Sequence, residues 1–446
     1  YLIYGTFSSM IYLTPVIGGY LADKILGFQK AVILGGLLYI LGYIFTSIPS
    51  TELLFFIGLG ILIVSNGFFK ANVSSLLGEL YGPNDPRREG GFTIFYMGIN
   101  IGGLIPPLIT GYIATVYGWH AGFSVAIVGL IIGVITFMVG RSKFKKAGLM
   151  PASSPLLKAR KKTPVTWMFI FGTAIAIALF YFLFQVPRDA NLILVGATII
   201  FTVTILYLLF KEKKDSRNRM LACLILILIS VGFWSLYVQT FTSMMLFADR
   251  NMSKEFLGFT IDAQFTQFFN PFFIILLSPI FSRLWLKLDE NKLNPSIPSK
   301  FTLGIFFMAI GFLVLGYGTR YFSDDGVTSP WWLVSAYFLE TCGELLLSPI
   351  GLAMVTRLSP PHLRGMMMGM WFLILSVAFA LGGGLATFSS IAKGTSTVEA
   401  SDIYAHAFQI FGYIGLAMTV VSLLCIPYLK RLISHQKDTS AEVKIR

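Results

Sequence analysis

Charge is what this 446-residue sequence has least of. Its 21 Asp and Glu and 34 Lys and Arg make up 12% of the chain, about half the share of a soluble domain. Cysteine is almost as sparse: Cys223, Cys342 and Cys425 all lie inside apolar runs, so they read as small buried hydrophobes, not as a disulfide framework. Histidine occurs four times, at His120, His362, His406 and His435, with no His/Cys metal spacing. There is no P-loop and no Ser/His/Asp set, so neither a metal, a cofactor nor an enzyme activity is expected. Alternating strand patterns are missing as well, which argues against a membrane β-barrel. What remains is apolar: 55% hydrophobic residues and a mean hydropathy of +0.76. A soluble chain of this length cannot bury that much apolar surface. The expected fold class is an all-α polytopic membrane protein.

Continuous apolar runs fall near 1–22, 31–48, 53–77, 92–116, 121–140, 166–184, 190–210, 220–247, 263–282, 301–319, 331–356, 366–388 and 404–429, which predicts thirteen membrane spans. With the Asp23–Lys30 loop in the cytoplasm and alternating sides, 28 of the 34 basic residues fall on the cytoplasmic side and five on the other. The remaining one, Lys70, is in a span. This positive-inside bias accounts for the net charge of +13 without a nucleic-acid partner. The same parity puts Tyr1 outside and Arg446 in the cytoplasm. One further helix upstream of Tyr1, giving fourteen spans, is the expectation. The chain divides into an N-terminal bundle over 1–140, a basic cytoplasmic linker over 141–165, a transmembrane hairpin over 166–210, a C-terminal bundle over 211–429 and a cytoplasmic tail over 430–446. Two bundles flanking a midplane site form a transporter plan.

Ionisable groups inside a bilayer are costly and mark function by default. Three stand out: Lys70 in the N-terminal bundle and Glu340 and Glu344 in the C-terminal one. Together they suit the two charged termini of a zwitterionic peptide, with a structural ion pair or snorkelling as the competing reading. Glu340 and Glu344 are four residues apart on one helix face, so they can exchange a proton as a coupled unit. Pro15, Gly102-Gly103 with Pro106-Pro107, Asn270-Pro271, Pro349 and Gly382-Gly383-Gly384 fall within spans and are expected to mark bends.

A loop motif and six further motifs recur in a familiar order. The first loop contains Gly19, Asp23, Lys24 and Gly27, which resembles the Gly-x-x-x-Asp-Lys/Arg loop of the major facilitator superfamily. There, glycine permits close helix approach and Asp23 can cap or pair at a helix end. Gly67 to Ser74 (GFFKANVS), Gly91 to Gly102 (GFTIFYMGINIG), Phe233 to Gln239 (FWSLYVQ), Gln267 to Pro271 (QFFNP), Gly343 to Leu352 (GELLLSPIGL) and Gly365 to Leu373 (GMMMGMWFL) follow. Together they resemble the proton-dependent oligopeptide transporter family in its bacterial form with an extra two-helix hairpin.

The resemblance implies two six-helix bundles plus the hairpin in an inner membrane, carrying di- and tripeptides with protons. It implies peptide-binding roles for Tyr12, Lys70, Asn100, Trp234, Asn270, Glu344, Ser348 and Trp371. Glu340, Glu344 and Lys70 are the proton-coupling candidates. Three departures qualify it. The family's charged first-helix motif cannot be mapped, because the sequence is read as beginning at the second helix. Val238 stands where the family often has a glutamate, and Ala71 where proline is usual. A major facilitator carrier for a drug, an amino acid conjugate or an anion is the alternative; Glu344 argues against the anion.

Overall fold

The structure, a computed structural model, describes residues 2–48, 52–82, 85–158, 163–185 and 187–434. The expectations for Arg160, Lys161 and Lys162, and for the tail beyond Ser434, lie outside the described residues. Each predicted span has its helix. The helices are α1 (Leu2–Leu21), α2 (Phe28–Ser47), α3 (Glu52–Glu79), α4 (Arg87–Tyr117), α5 (Trp119–Gly140), the one-turn α6 (Pro155–Lys158), α7 (Thr163–Gln185), α8 (Pro187–Lys211), α9 (Lys214–Tyr237), the short α10 (Ser243–Arg250), α11 (Phe269–Glu290), α12 (Ile297–Tyr321), α13 (Pro330–Leu358), α14 (Arg364–Ala386) and α15 (Thr397–Ser434). Among the described residues nine helical stretches are long and apolar enough to cross a membrane, and α7 and α8 hold shorter apolar stretches, Phe171–Gln185 and Val195–Lys211. Large apolar side chains such as Val139, Phe210 and Leu424 are about three-quarters exposed, as lipid-facing positions are in a multi-pass protein.

Local chemistry sets the helix boundaries. Gly118, at φ +88°, separates α4 from α5, a conformation only glycine adopts without strain. Pro298 sits in the first turn of α12 and Pro330 opens α13, where a missing N–H costs nothing. The predicted proline bends resolve differently. α1 and α13 run unbroken through Pro15 and Pro349. Asn270-Pro271 lies in the first turn of α11, just after a 3₁₀ turn over Gln264–Phe268, so Pro271 removes no helical hydrogen bond. α3 is continuous through Ala71, in keeping with the loss of proline there. Two hairpins too small to register as apolar runs also form, pairing Glu255–Phe256 with Phe259–Thr260 and Ser323–Asp324 with Val327–Thr328. Their turns, Leu257-Gly258 and Asp325-Gly326, have positive φ at both positions, which is the two-residue turn that fits the strand twist.

The chain forms two compact units. Unit 1 comprises residues 1–85, 105–220 and 355–376; unit 2 comprises 86–104, 221–354 and 377–446. In unit 1, α1 and α3 touch along their backbones: a Cβ on Gly18 would lie 1.9 Å from the Gly67 carbonyl oxygen. The predicted basic linker is docked here. Gln29 donates to Ala147 O (2.6 Å), Ser154 donates to Ile25 O (2.6 Å) and is fully buried, and Gly148 N–H donates to Glu79 (2.6 Å). In unit 2, α12 packs along α15, and Thr302 shares a hydrogen bond with Ser422 (2.7 Å). Lys300, counted above as a cytoplasmic cation, is fully buried. It pairs with Glu89 at the start of α4 and lies 3.9 Å from the centre of the Trp285 ring. A buried ammonium is tolerable only with such partners.

Candidate functional site

The intramembrane charges sit in separate units. Unit 1 holds Tyr12, Lys70 and Trp371. The Lys70 ammonium lies 4.7 Å from the centre of the Tyr12 ring and 4.8 Å from that of Phe372. Both distances are within cation–π range. Among the described residues it makes no ion pair. Trp371, beside Phe372, is buried. The floor beneath Lys70 is polar and rigid: Asn66 accepts from Tyr39 Oη (2.7 Å) and donates to Ile11 O.

Unit 2 gathers Asn100, Trp234, Asn270, Glu344 and Ser348. Glu344 is buried, and both its oxygens are engaged. Oε1 accepts the Tyr96 hydroxyl, and Oε2 accepts from Asn270 Nδ2 at 2.7 Å. Asn270 donates in addition to Thr341 Oγ1 (3.2 Å) and accepts from Tyr237 Oη (3.2 Å). Trp234 packs edge-on against Tyr237 at 5.1 Å, and its buried indole N–H has no hydrogen-bond partner among the described residues. Asn100 donates to its own helix at Tyr96 O (3.0 Å). Ser348 is buried one turn beyond Glu344. Asn100, expected with the N-terminal bundle, thus falls in unit 2, and Trp371, expected with the C-terminal bundle, falls in unit 1.

Glu340 is fully buried one turn before Glu344, and neither of its oxygens has a hydrogen-bond partner among the described residues. Gly311 of α12 makes room for it: a Cβ there would lie 2.9 Å from Glu340 Cγ. Val238 is buried against Gly382, whose added Cβ would meet the valine Cβ at 2.7 Å. The next residue, Gln239, donates to Gly382 O (2.8 Å) and accepts from Ser243 Oγ (2.7 Å). It fixes the 3₁₀ break Val238–Thr240 that separates α9 from α10.

The loop motif builds a joint at one end of unit 1, where α1 meets the start of α14. Asp23 accepts from the backbone N–H groups of Gly365 and Met366, both at 2.9 Å. These are free donors at the start of α14, where the helix dipole favours an anion. Burial pushes the Asp23 carboxyl up to about 7, against the two N–H donors and nearby Lys24 and Arg364, which pull it down. Gly19 approaches Gly365 so closely that a Cβ would lie 2.0 Å from its carbonyl oxygen. Gly27, at φ +73°, closes the turn over Ala22–Leu26. Arg364 pairs with Glu79 at 3.0 Å.

Three functional contacts went unread in the sequence. Tyr96 lies inside a quoted motif, but its reach to Glu344, 248 residues away, has no local signal. Gln239 is likewise in a motif and known for its contacts only in three dimensions. The Glu89–Lys300–Trp285 cluster has no spacing that announces it.

A sequence model of the family described as the POT family matches residues 29–403. The chain is 37% identical over 437 residues to dipeptide and tripeptide permease B of Salmonella typhimurium, covering 97% of this chain and 88% of that protein. It is 35% identical over 446 residues to the protein of the same name from Aeromonas hydrophila, covering 99% and 88%. Among solved structures, a mutant of peptide transporter POT in complex with alafosfalin matches at a TM-score of 0.68 and 32% identity, covering 97% of this chain and 86% of that one. A bacterial homologue of the human drug peptide transporters PepT1 and PepT2 matches at 0.70 and 27%, covering 97% and 90%.

Proposed function

The chain belongs to the POT family, and from that premise we propose that it is a proton-coupled symporter importing di- and tripeptides by alternating access. The observation that carries the reading is the wiring of Glu344. A carboxylate held by a tyrosine and an asparagine is a fixed, oriented anion, and in a bilayer such a group serves a ligand or a proton. It takes the peptide ammonium. Lys70, resting on two aromatic faces, takes the carboxylate. Tyr12, Asn100, Trp234, Asn270, Ser348 and Trp371 complete the peptide-binding set. The indole N–H of Trp234 is suited to a peptide carbonyl, since a buried donor without a partner gains from any acceptor that reaches it.

Proton coupling is assigned to Glu340 and Glu344, with Lys70 responding to them. Val238 leaves α9 without a carboxylate at that position, and Glu340 has no hydrogen bond to give up when it gains or loses a proton. The bacterial permease relatives support an inner-membrane location, and the basic bias of the connections supports a cytoplasmic C-terminus.

Uptake of a dipeptide into proteoliposomes, with and without an imposed proton gradient, tests the reading. Accumulation above equilibrium only with the gradient is expected. Equilibration alone would make the protein a facilitator, and no dipeptide uptake would return the carrier to another substrate. Glu340→Gln is expected to lose gradient-driven accumulation and keep peptide counterflow; unchanged accumulation would remove Glu340 from the proton path.

A further inference from the structure

Unit 1 holds a groove of about 270 Å³ lined by α1 with its following turn, by α3 and by α7. From α1 come Ile17 and Leu21, and from the turn that follows it Ile25, at spacings of four. The Gly18–Gly67 backbone contact forms the floor. Phe68 and Phe180 add two buried aromatic rings to the lining. The lining offers almost nothing to a polar ligand: it has two threonines, and the Thr14 hydroxyl is already donated to Ile63 O at 2.9 Å. A peptide, with its termini and amides, has no partner here.

The dimensions and flanks suit a lipid. From Thr14 to Ile25 is eleven residues, about 16 Å along a helix, which is half of a bilayer's roughly 30 Å hydrocarbon core. The groove is therefore one leaflet deep, and it ends on the side of the basic connections, the cytoplasmic side. Its rim is exposed and apolar: Ile17 is 42% exposed, and on α7 Phe171 and Ile175 are more so. At the cytoplasmic end, between Leu21 and Ile25, stands Lys24. Its neighbour Asp23 is turned to the α14 backbone, and Lys24 makes no hydrogen bond or ion pair among the described residues.

We infer that this groove holds one acyl chain of an anionic phospholipid from the cytoplasmic leaflet, with the headgroup phosphate on Lys24. The acyl chain fills the space over the Gly18–Gly67 floor, and the lysine supplies the selectivity for charge.

Gly172 gives a clean handle, because a Cβ added there meets nothing within 4 Å. Gly172→Phe fills the groove from its open side without disturbing the helix contacts. The measurement is native mass spectrometry of the intact purified protein, with phosphatidylglycerol and phosphatidylcholine of identical acyl chains, alongside thermal unfolding in each lipid. The wild type is expected to retain one phosphatidylglycerol and to prefer it over phosphatidylcholine. Lys24→Gln is expected to lower that preference about fivefold, the discrimination one lysine provides near an anionic surface, while still holding a lipid. Gly172→Phe is expected to lose both lipids and the thermal shift they cause. Gly172→Leu replaces it should the phenylalanine variant not purify as a single species. Equal retention of the two lipids by the wild type, an unchanged preference in Lys24→Gln, or full retention in the groove-filled variant would each overturn the assignment. None of these outcomes depends on peptide transport.

Discussion

Glu344 and Lys70 carry opposite charges in opposite surroundings. The carboxylate in unit 2 is fixed by directed hydrogen bonds, from Tyr96 on one oxygen and from Asn270 on the other, and Asn270 is itself held by Tyr237. The ammonium in unit 1 rests on the faces of Tyr12 and Phe372, an attraction that tolerates sliding because a ring face has no single preferred contact point. Under the proposed roles the difference would separate two tasks: the directed network would set where one peptide end sits, and the soft cation would follow the other end as peptide length changes from two residues to three.

Three substitutions can break or sharpen that contrast, and a fourth tests the loop motif. Glu344→Gln removes the oriented charge, and loss of one partner of a desolvated charged contact costs roughly 2–5 kcal/mol. Dipeptide binding, read by titration, is expected to weaken about thirtyfold or more, with amino-blocked peptides little changed; normal binding of free dipeptides would end the assignment. Lys70→Met leaves the two rings to pack on a thioether. Because it too removes one partner of a charged contact, it is expected to weaken a tripeptide and a dipeptide by similar factors, about thirtyfold, or roughly 2 kcal/mol. A loss confined to one length would contradict the soft-cation reading. Tyr96→Phe keeps the Glu344 charge and removes one of its anchors. A hydrogen bond to a charged group contributes about 1.5–3 kcal/mol, so binding is expected to weaken about tenfold, and an effect as small as that of a surface change would show that Asn270 alone orients the carboxylate.

The smallest effect concerns the loop motif. The Asp23 carboxyl, pushed up to about 7 by burial, binds its proton more tightly in the folded protein than in the unfolded chain. Its contribution to stability therefore falls as pH rises from about 4 to about 7 and is constant above that. Asp23→Asn does not titrate. The melting temperature of the variant minus that of the wild type is expected to be more positive at pH 8 than at pH 5, by a few degrees. A difference independent of pH would show that the two N–H donors at α14 outweigh burial.

Most of the fold was legible because a bilayer leaves few choices: every backbone polar group must be satisfied internally, so long apolar runs become helices. Lys70, Glu340 and Glu344 were legible for the same reason, as charges where charge is costly. Their partners were not. Tyr96 joins Glu344 only once α4 and α13 pack within unit 2, and no periodicity in either segment encodes that meeting. The docking of the linker on unit 1 was hidden too, since Gln29, Glu79 and Ser154 are unremarkable polar residues until their carbonyl and N–H partners arrive. The hairpin at Asp325-Gly326 did carry a local signal, overshadowed by the apolar runs on either side.

Lys300 has a history as well as a position. Under the proposed orientation, before any tertiary contact exists, this lysine would count among the cytoplasmic cations that choose which way α12 threads the membrane. After α4 arrives with Glu89, and Trp285 closes over it, the same residue is a wholly enclosed packing piece with its charge neutralised. One side chain thus acts twice, first as an address during biogenesis and later as mortar. A neutral replacement would be paid for at both stages, in mis-threaded chains as well as in weaker ones.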